Sequence, residues 1–164
     1  MKQLKYIKGN LLTIPEISII GHQANTQNTM GSGVALSIKE LYPDAYAADS
    51  RAAKLGANKL GAFSSATIER GGKPFTIYNL YGQSLYGRNK RQTNYEAIYA
   101  ALEEMREDID DIFIYENKTV GFPFQMSSCR AGADWNIIEV MIKVAFKDYL
   151  GEVIIVEYDG EKNA

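Results

Sequence analysis

The chain has 164 residues, 46% of them hydrophobic and 23% charged, which excludes a disordered segment and leaves enough length to bury a core. A formal net charge of −2 argues against a general electrostatic grip on nucleic acid, so no stable nucleic-acid partner is expected. One cysteine forbids an internal disulfide, one histidine and one cysteine do not make a Cys/His zinc site, and no apolar run approaches the roughly 20 residues of a membrane helix; a cytoplasmic protein without metal or cofactor is the expectation.

Six strand-like segments follow one another along the chain, at Leu4–Ile7, Ile17–Gly21, Gly61–Ile68, Phe75–Tyr81, Thr119–Phe124 and Val153–Tyr158. Most are rich in β-branched or aromatic residues and are bounded by glycine, proline or charge. Helical patterns lie between them. Gly33–Tyr42 continues, after a break at Pro43, through Ala45–Leu55. Thr93–Glu107 carries Ile98, Leu102 and Met105 on one face, with Thr93 and Glu96 in a capping-box pattern. Ile112-Phe113-Ile114-Tyr115 reads equally as a short strand or as the tail of that helix. A last helix starts at the cap Asp134, buries Ile137, Ile138, Met141, Ile142 and Ala145, and is expected to end at Gly151. Alternating strands and helices predict one α/β domain over residues 1–164, with a central mixed sheet. The Gly71-Gly72 turn supplies one hairpin.

Two strand-to-helix handovers hold the candidate chemistry. The first runs Gly21-His22-Gln23-Ala24-Asn25-Thr26-Gln27-Asn28-Thr29-Met30-Gly31-Ser32-Gly33-Val34-Ala35. Such a handover lies at the carboxyl edge of an α/β sheet, where ligands bind, and its helix N-terminus suits a phosphate. Amides both donate and accept, which suits sugar hydroxyls. Two asparagines and two glutamines exceed what turn-making needs, so Asn25 and Asn28 are assigned to ligand contact. His22 reads either as a core residue or as a general base. The second handover, Gln125-Met126-Ser127-Ser128-Cys129-Arg130-Ala131-Gly132-Ala133-Asp134, has small and hydroxyl residues able to cradle a diphosphate. Cys129 fits a loop filler better than a nucleophile. Arg88, Lys90 and Arg91 read as a solvated loop or as a basic flap over an anion. Tyr158 ends the last strand and reads as adenine stacking or as sheet surface. A third stretch, Asn79-Leu80-Tyr81-Gly82-Gln83, ends a strand nearby.

With these pieces in order, the chain resembles the macrodomain family, whose members bind ADP-ribose and related metabolites. The resemblance rests on Lys8-Gly9-Asn10-Leu11-Leu12, the amide-rich loop through Ala35, Leu41-Tyr42-Pro43, Asn79 to Gln83, Asn94-Tyr95-Glu96-Ala97, Gly121-Phe122-Pro123 and Ala131-Gly132-Ala133-Asp134-Trp135. It looks closest to the branch of ADP-ribose 1''-phosphate phosphatases and their phage and bacterial relatives. It implies a three-layer α/β/α sandwich with a mixed sheet and a cleft at the carboxyl edge, in the host cytoplasm if a phage encodes the chain. It implies that Asn10 and Leu11 lie by the adenine and that Asn25 and Asn28 approach the distal ribose. Met30, Gly31, Ser32, Gly33 and Val34 would line the ribose and diphosphate from one side. Ser127, Ser128, Cys129, Arg130 and Ala131 would line them from the other, with Tyr81 and Gln83 nearby.

Two departures from the family pattern bear on activity. Gln125, Ser127, Cys129, Arg130 and Ala133 stand where Gly, Gly, Gly, Leu and Gly are common, and Arg130 is a charge-assisted phosphate donor if it faces the groove. Relatives that remove ADP-ribose from macromolecules use a lysine near the third stretch, and Tyr81-Gly82-Gln83-Ser84 has none. The leading expectation is hydrolysis of ADP-ribose 1''-phosphate to ADP-ribose and phosphate, with His22 and Asn25 as catalytic candidates. A glycohydrolase acting on ADP-ribosylated protein or nucleic acid, and a non-catalytic ADP-ribose reader, are the alternatives. No protein partner is indicated.

Overall fold

The computed structural model describes residues 3–31, 33–52, 59–85, 90–114, 116–128 and 131–160. The elements run β1 (Lys5–Gly9), β2 (Ile19–Asn25), α1 (Gly33–Leu41), α2 (Pro43–Ala52), β3 (Phe63–Arg70), β4 (Lys73–Gln83), α3 (Tyr95–Ile112), β5 (Val120–Pro123), α4 (Trp135–Ala145) and β6 (Val153–Tyr158). One six-stranded sheet has the order β1-β6-β5-β2-β4-β3. All neighbours pair parallel except β3 with β4. That antiparallel pair is the expected hairpin: Gly71 and Gly72 have φ of 59° and 77°, the left-handed turn that a two-residue hairpin demands.

Alternation along the strands sorts the core into two layers. Ile19, Tyr78, Leu80, Val120, Phe122, Val153 and Ile155 face α3 and α4, meeting Ile98, Leu102, Met105, Ile109, Ile138 and Ile142. Ile20, Phe75, Ile77, Ile154 and Val156 point the other way and meet Ile38 of α1 and Ala45 of α2. The result is the α/β/α sandwich with a mixed sheet.

Several element boundaries differ from the sequence reading. β2 does not stop at Gly21 but runs on to Asn25, because His22 and Gln23 find hydrogen-bond partners inside the fold. β4 similarly extends to Gln83. Helix α2 starts at Pro43 itself, where the missing N–H costs nothing; the expected end at Leu55 lies outside the described residues. The cap of α3 is Asn94, whose side chain accepts the Ala97 N–H, and not Thr93. α3 reaches Ile112, so the helix-tail reading holds through that residue, while Tyr115 lies outside the described residues. Asp134 caps α4 as expected. That helix closes at Phe146, five residues before Gly151, with Asp148 taking the left-handed conformation.

Arg70, at the end of β3, ties down the segment that leaves β1. Its guanidinium donates to the carbonyls of Leu12 (3.0 Å), Ile14 (2.9 Å) and Ile17 (2.6 Å) and lies 3.8 Å from the centre of the Phe75 ring. Among the described residues no helix is long and apolar enough to cross a membrane.

Asn94→Ala removes the side-chain acceptor that caps α3. It should lower unfolding stability by about 1 kcal/mol, measured by urea denaturation. A change within error would show that the cap is dispensable.

Candidate functional site

The parallel strands β1, β6, β5, β2 and β4 all end at one edge of the sheet. After β5 the chain turns into α4 and then β6, on one side of the strand order; after β2 it turns into α1 and moves the opposite way. β5 and β2 are neighbours, so the sheet changes direction between them. Loops leaving such a point diverge onto opposite faces and leave a crevice between them. Among the described residues the crevice walls are 26–31, leading into α1, and 124–128 with 131–134, leading into α4.

The β2–α1 loop is shaped by its own asparagines. Asn25 Oδ1 accepts from the Gln27 N–H (2.9 Å) and the Thr29 hydroxyl (3.0 Å), and Asn25 Nδ2 donates to the Thr29 carbonyl (2.9 Å). Asn28 sits at φ 59°, and its Oδ1 accepts from Ser50 of α2 (3.2 Å). The turn-making that the sequence reading set aside is therefore a task both residues perform. Met30 is buried and Val34 packs against the α1 side of the core. Gly31 is exposed, and a Cβ placed there would meet nothing within 4 Å. Gly33 opens α1 with φ 61°.

In the β5–α4 loop, two positions where the resemblance puts glycine have left-handed backbone: Gln125 at φ 58° and Ser127 at φ 68°. The glycine preference thus has a conformational cause, and this chain keeps the shape with side chains attached, at a cost of about 1–2 kcal/mol per residue. Gln125 is exposed, whereas Ser127 is buried and turns inward, so its side chain does not narrow the crevice. Ala133 also faces the core. Ala131 is buried, and its carbonyl accepts from the Gln92 and Thr93 N–H groups (2.8 and 3.2 Å), joining this loop to the one before α3. Gly132 has φ 76° and packs so closely that a Cβ would lie 3.0 Å from Arg91 Cα. Ser128 is half-buried. Ser32, Arg88, Cys129 and Arg130 lie outside the described residues.

Beneath the crevice sits a polar ring that the sequence reading missed. Ser127 Oγ donates to Gln23 Oε1 (2.6 Å), Gln23 Nε2 donates to Thr93 Oγ1 (3.0 Å), and Thr93 Oγ1 donates to the Ser127 carbonyl (2.9 Å). Gln23 Nε2 also donates to Gln83 Oε1 (2.6 Å). Gly82 is glycine for this reason: a Cβ there would collide with the Gln23 carboxamide and lie 2.9 Å from Ile98 Cβ. The β4–α3 and β5–α4 loops are thereby fixed to β2 and to one another. The available sequence signal is Gln23 two residues before Asn25, hidden because Gly21 reads as the end of the strand.

His22 points to the opposite face of β2 and is 0% exposed. It lies in the core on the α1 and α2 side of the sheet. Its Nε2–H meets Asn79 Oδ1 (2.6 Å), and Asn79 Nδ2 donates to the Ala45 carbonyl and to Ser64 Oγ (3.0 Å each). Ser64 bonds the Tyr81 hydroxyl (2.6 Å), which donates to Asp49 Oδ1 (2.6 Å), and Lys59 Nζ closes the chain on the same oxygen (2.8 Å). Tyr81 is wholly buried with its hydroxyl committed inward; burial first, and then the bond to Asp49, raises its pKa. The described lysine that reaches the third stretch, Lys59, is locked in this buried pair. Gln83 is half-buried, with its Nε2 donating to the Leu85 carbonyl.

At the far end of the edge, Asn10 is buried and its Oδ1 accepts the Leu12 N–H (3.0 Å). Leu11 packs inward over Gly121, where a Cβ would lie 2.7 Å from Leu11 Cδ1. Tyr158, 63% exposed, ends β6 beside Gly9. No group of three or more His, Cys, Asp or Glu positioned to hold a metal occurs among the described residues.

Desolvation lowers the His22 pKa below its ordinary 6.5, only partly offset by the Asn79 hydrogen bond and by Asp49. The unfolded chain therefore takes up a proton near pH 6.5 that the folded chain refuses, and stability falls as pH drops below that value. The slope for one such proton is about 1.4 kcal/mol per pH unit. No other histidine competes in this window. Urea unfolding at pH 7.5, 6.5 and 5.5 should show the loss, and the imidazole NMR signals of the folded protein should not titrate over the same range. A normal titration near 6.5 would contradict the buried, neutral ring.

Comparison with known proteins returns consistent relatives. No family model matches the sequence. An uncharacterized 17.5 kDa protein in the tk-vs intergenic region of Enterobacteria phage T4 is 30% identical over 161 residues, covering 95% of this chain and 97% of that protein. A DNA ADP-ribosyl glycohydrolase of Thermus aquaticus is 38% identical over 58 residues, 35% of this chain and 16% of that longer protein. Among solved structures, the macrodomain of Mycobacterium tuberculosis DarG superposes with a TM-score of 0.76 at 24% identity, over 97% of this chain and 99% of that one. Thermosipho africanus DarTG in complex with ADP-ribose superposes with a TM-score of 0.76 at 15% identity, over 100% of this chain and 44% of that one.

Proposed function

We propose that this chain, which has the fold of the macrodomains it superposes on, is a macrodomain whose crevice binds ADP-ribose compounds and hydrolyses them at the distal ribose. The carrying observation is the pair of loops leaving β2 and β5 where the sheet changes direction, one with open space at Gly31 before the N-terminus of α1 and the other held in a left-handed course at Gln125 and Ser127. Backbone N–H groups of such loops and of a helix start suit a diphosphate. In this reading the diphosphate runs between the 31–34 and 127–131 segments. The distal ribose lies by Asn25 and Asn28, and the adenine by Asn10, Leu11 and the Tyr158 ring.

The reaction proposed is hydrolysis of ADP-ribose 1''-phosphate: water adds at phosphorus, the bond to the ribose oxygen breaks, and ADP-ribose and phosphate leave. With His22 buried, the role left to it is to hold β2, and through it Asn25, in place. Rate enhancement then comes from positioning by loop amides and asparagine side chains. A second reading, glycohydrolase action on ADP-ribosylated DNA, is favoured by the 58-residue match to the Thermus aquaticus enzyme. The inward commitment of Lys59 and the lysine-free stretch Tyr81 to Ser84 weigh against it.

Calorimetry with ADP-ribose tests the binding claim, and absence of heat and of thermal shift would sink it. Gly31→Val adds bulk where the fold is open and where φ is not left-handed, so the melting temperature should stay unchanged while ADP-ribose affinity falls by about tenfold or more. Phosphate release from ADP-ribose 1''-phosphate, run beside label release from ADP-ribosylated DNA, decides the reaction. Release from DNA alone would replace the phosphatase reading with the glycohydrolase one.

A further inference from the structure

We infer that Gln23 is the positioning residue that holds the β5–α4 loop in its ligand-ready course, a task that glycine performs by conformational freedom in the family pattern. The inference rests on the ligand reading above for its affinity arm, and on the ligand-free loop for its other arm.

Ser127 at φ 68° adopts a conformation that costs a residue with a side chain more than it costs glycine. Its hydrogen bonds offset that cost. Both polar ends of Ser127 are engaged from beneath: its Oγ by the Gln23 carboxamide and its carbonyl by Thr93 Oγ1 and the Ala133 N–H (3.0 Å). Gln23 and Thr93 are themselves bonded, so the ring closes without a polar atom left over. The carboxamide has one orientation that satisfies it, because Oε1 must face the serine hydroxyl while Nε2 faces Thr93 and Gln83. Gln23 stands on β2, where it pairs with Leu80 of β4, and its carboxamide lies against Gly82, which leaves room for it. A rigid strand therefore carries the brace and a loop receives it. Both ends of the Gln23 carboxamide are taken by protein partners, so its effect passes through Ser127.

The experiment is a rescue. Gln23→Leu keeps the side-chain volume and removes the amide. In ligand-free protein, hydrogen exchange at the amides of Ser128, Gly132 and Ala133 should rise about tenfold or more, while exchange in α4 and β6 stays at the wild-type level. ADP-ribose affinity should fall about tenfold. Adding Ser127→Gly, which accepts the left-handed backbone without a brace, should return both quantities toward wild type in the double variant. Thr93→Val, which breaks the ring at a different bond, should loosen the same three amides. Unchanged exchange in Gln23→Leu, or a double variant no better than the single one, overturns the positioning role. If wild-type protein does not bind ADP-ribose, the exchange arm still decides the role of Gln23, and only the ligand reading fails.

Discussion

The middle of β2 carries two polar side chains back to back, and the partners that Gln23 and the His22 Nε2 find inside the protein govern the architecture around the crevice. A polar group taken from water without a partner costs on the order of 1–3 kcal/mol, so a histidine and a glutamine in the centre of a sheet impose obligations on both layers. On one face His22 requires Asn79, and the chain of donors passes through Ser64 and Tyr81 to Asp49 and Lys59. That chain pins α2 and the start of β3 against β2 and β4. On the other face Gln23 requires Ser127, Thr93 and Gln83, and so pins the loops that follow β4 and β5. Both layers are registered to one strand by hydrogen bonds, which are directional, in addition to apolar packing, which is not.

The two networks differ in what they do to charge. The His22 side holds a buried ion pair and a neutral imidazole, an arrangement that contributes specificity of packing more than stability, since desolvating Lys59 and Asp49 offsets much of their attraction. The Gln23 side is neutral throughout and close to the surface. Placing the rigid, charged network away from the crevice and the neutral ring under it leaves the crevice walls free of a fixed buried charge among the described residues. An anionic ligand then meets backbone N–H groups and loop amides.

Much of this fold was legible in the residues, and the parts that were not share one cause. Strand and helix order, the Gly71-Gly72 hairpin and the Asp134 cap follow from local pattern and turn chemistry. The end of β2 was misread because Gly21-His22-Gln23 looks like a turn to any local rule, and only tertiary partners make it strand. Thr93 reads as a cap in the sequence, but its hydroxyl bonds Ser127 in a distant loop and leaves the cap to Asn94. At the crevice, the family glycines were legible as a pattern but their conformational cause was not, because φ is invisible in a sequence that has replaced glycine by glutamine and serine. The asparagines were assigned to ligand contact on composition alone, and composition cannot show that Asn25 spends three hydrogen bonds on its own loop.

The Arg70 clamp has a consequence at the scale of many molecules. An edge strand offers a row of unpaired backbone groups to any neighbouring chain, and a sheet with two open edges is a template for aggregation. β3 is one edge here, and it ends in Glu69 and Arg70, with Arg70 bound to three carbonyls of the segment after β1. β1 is the other edge, and it carries the exposed Lys5 and a second lysine, Lys8, three residues on. A strand docking on either side would have to bury a cation. The guanidinium that closes off the segment after β1 thus also blunts the sheet against its own copies.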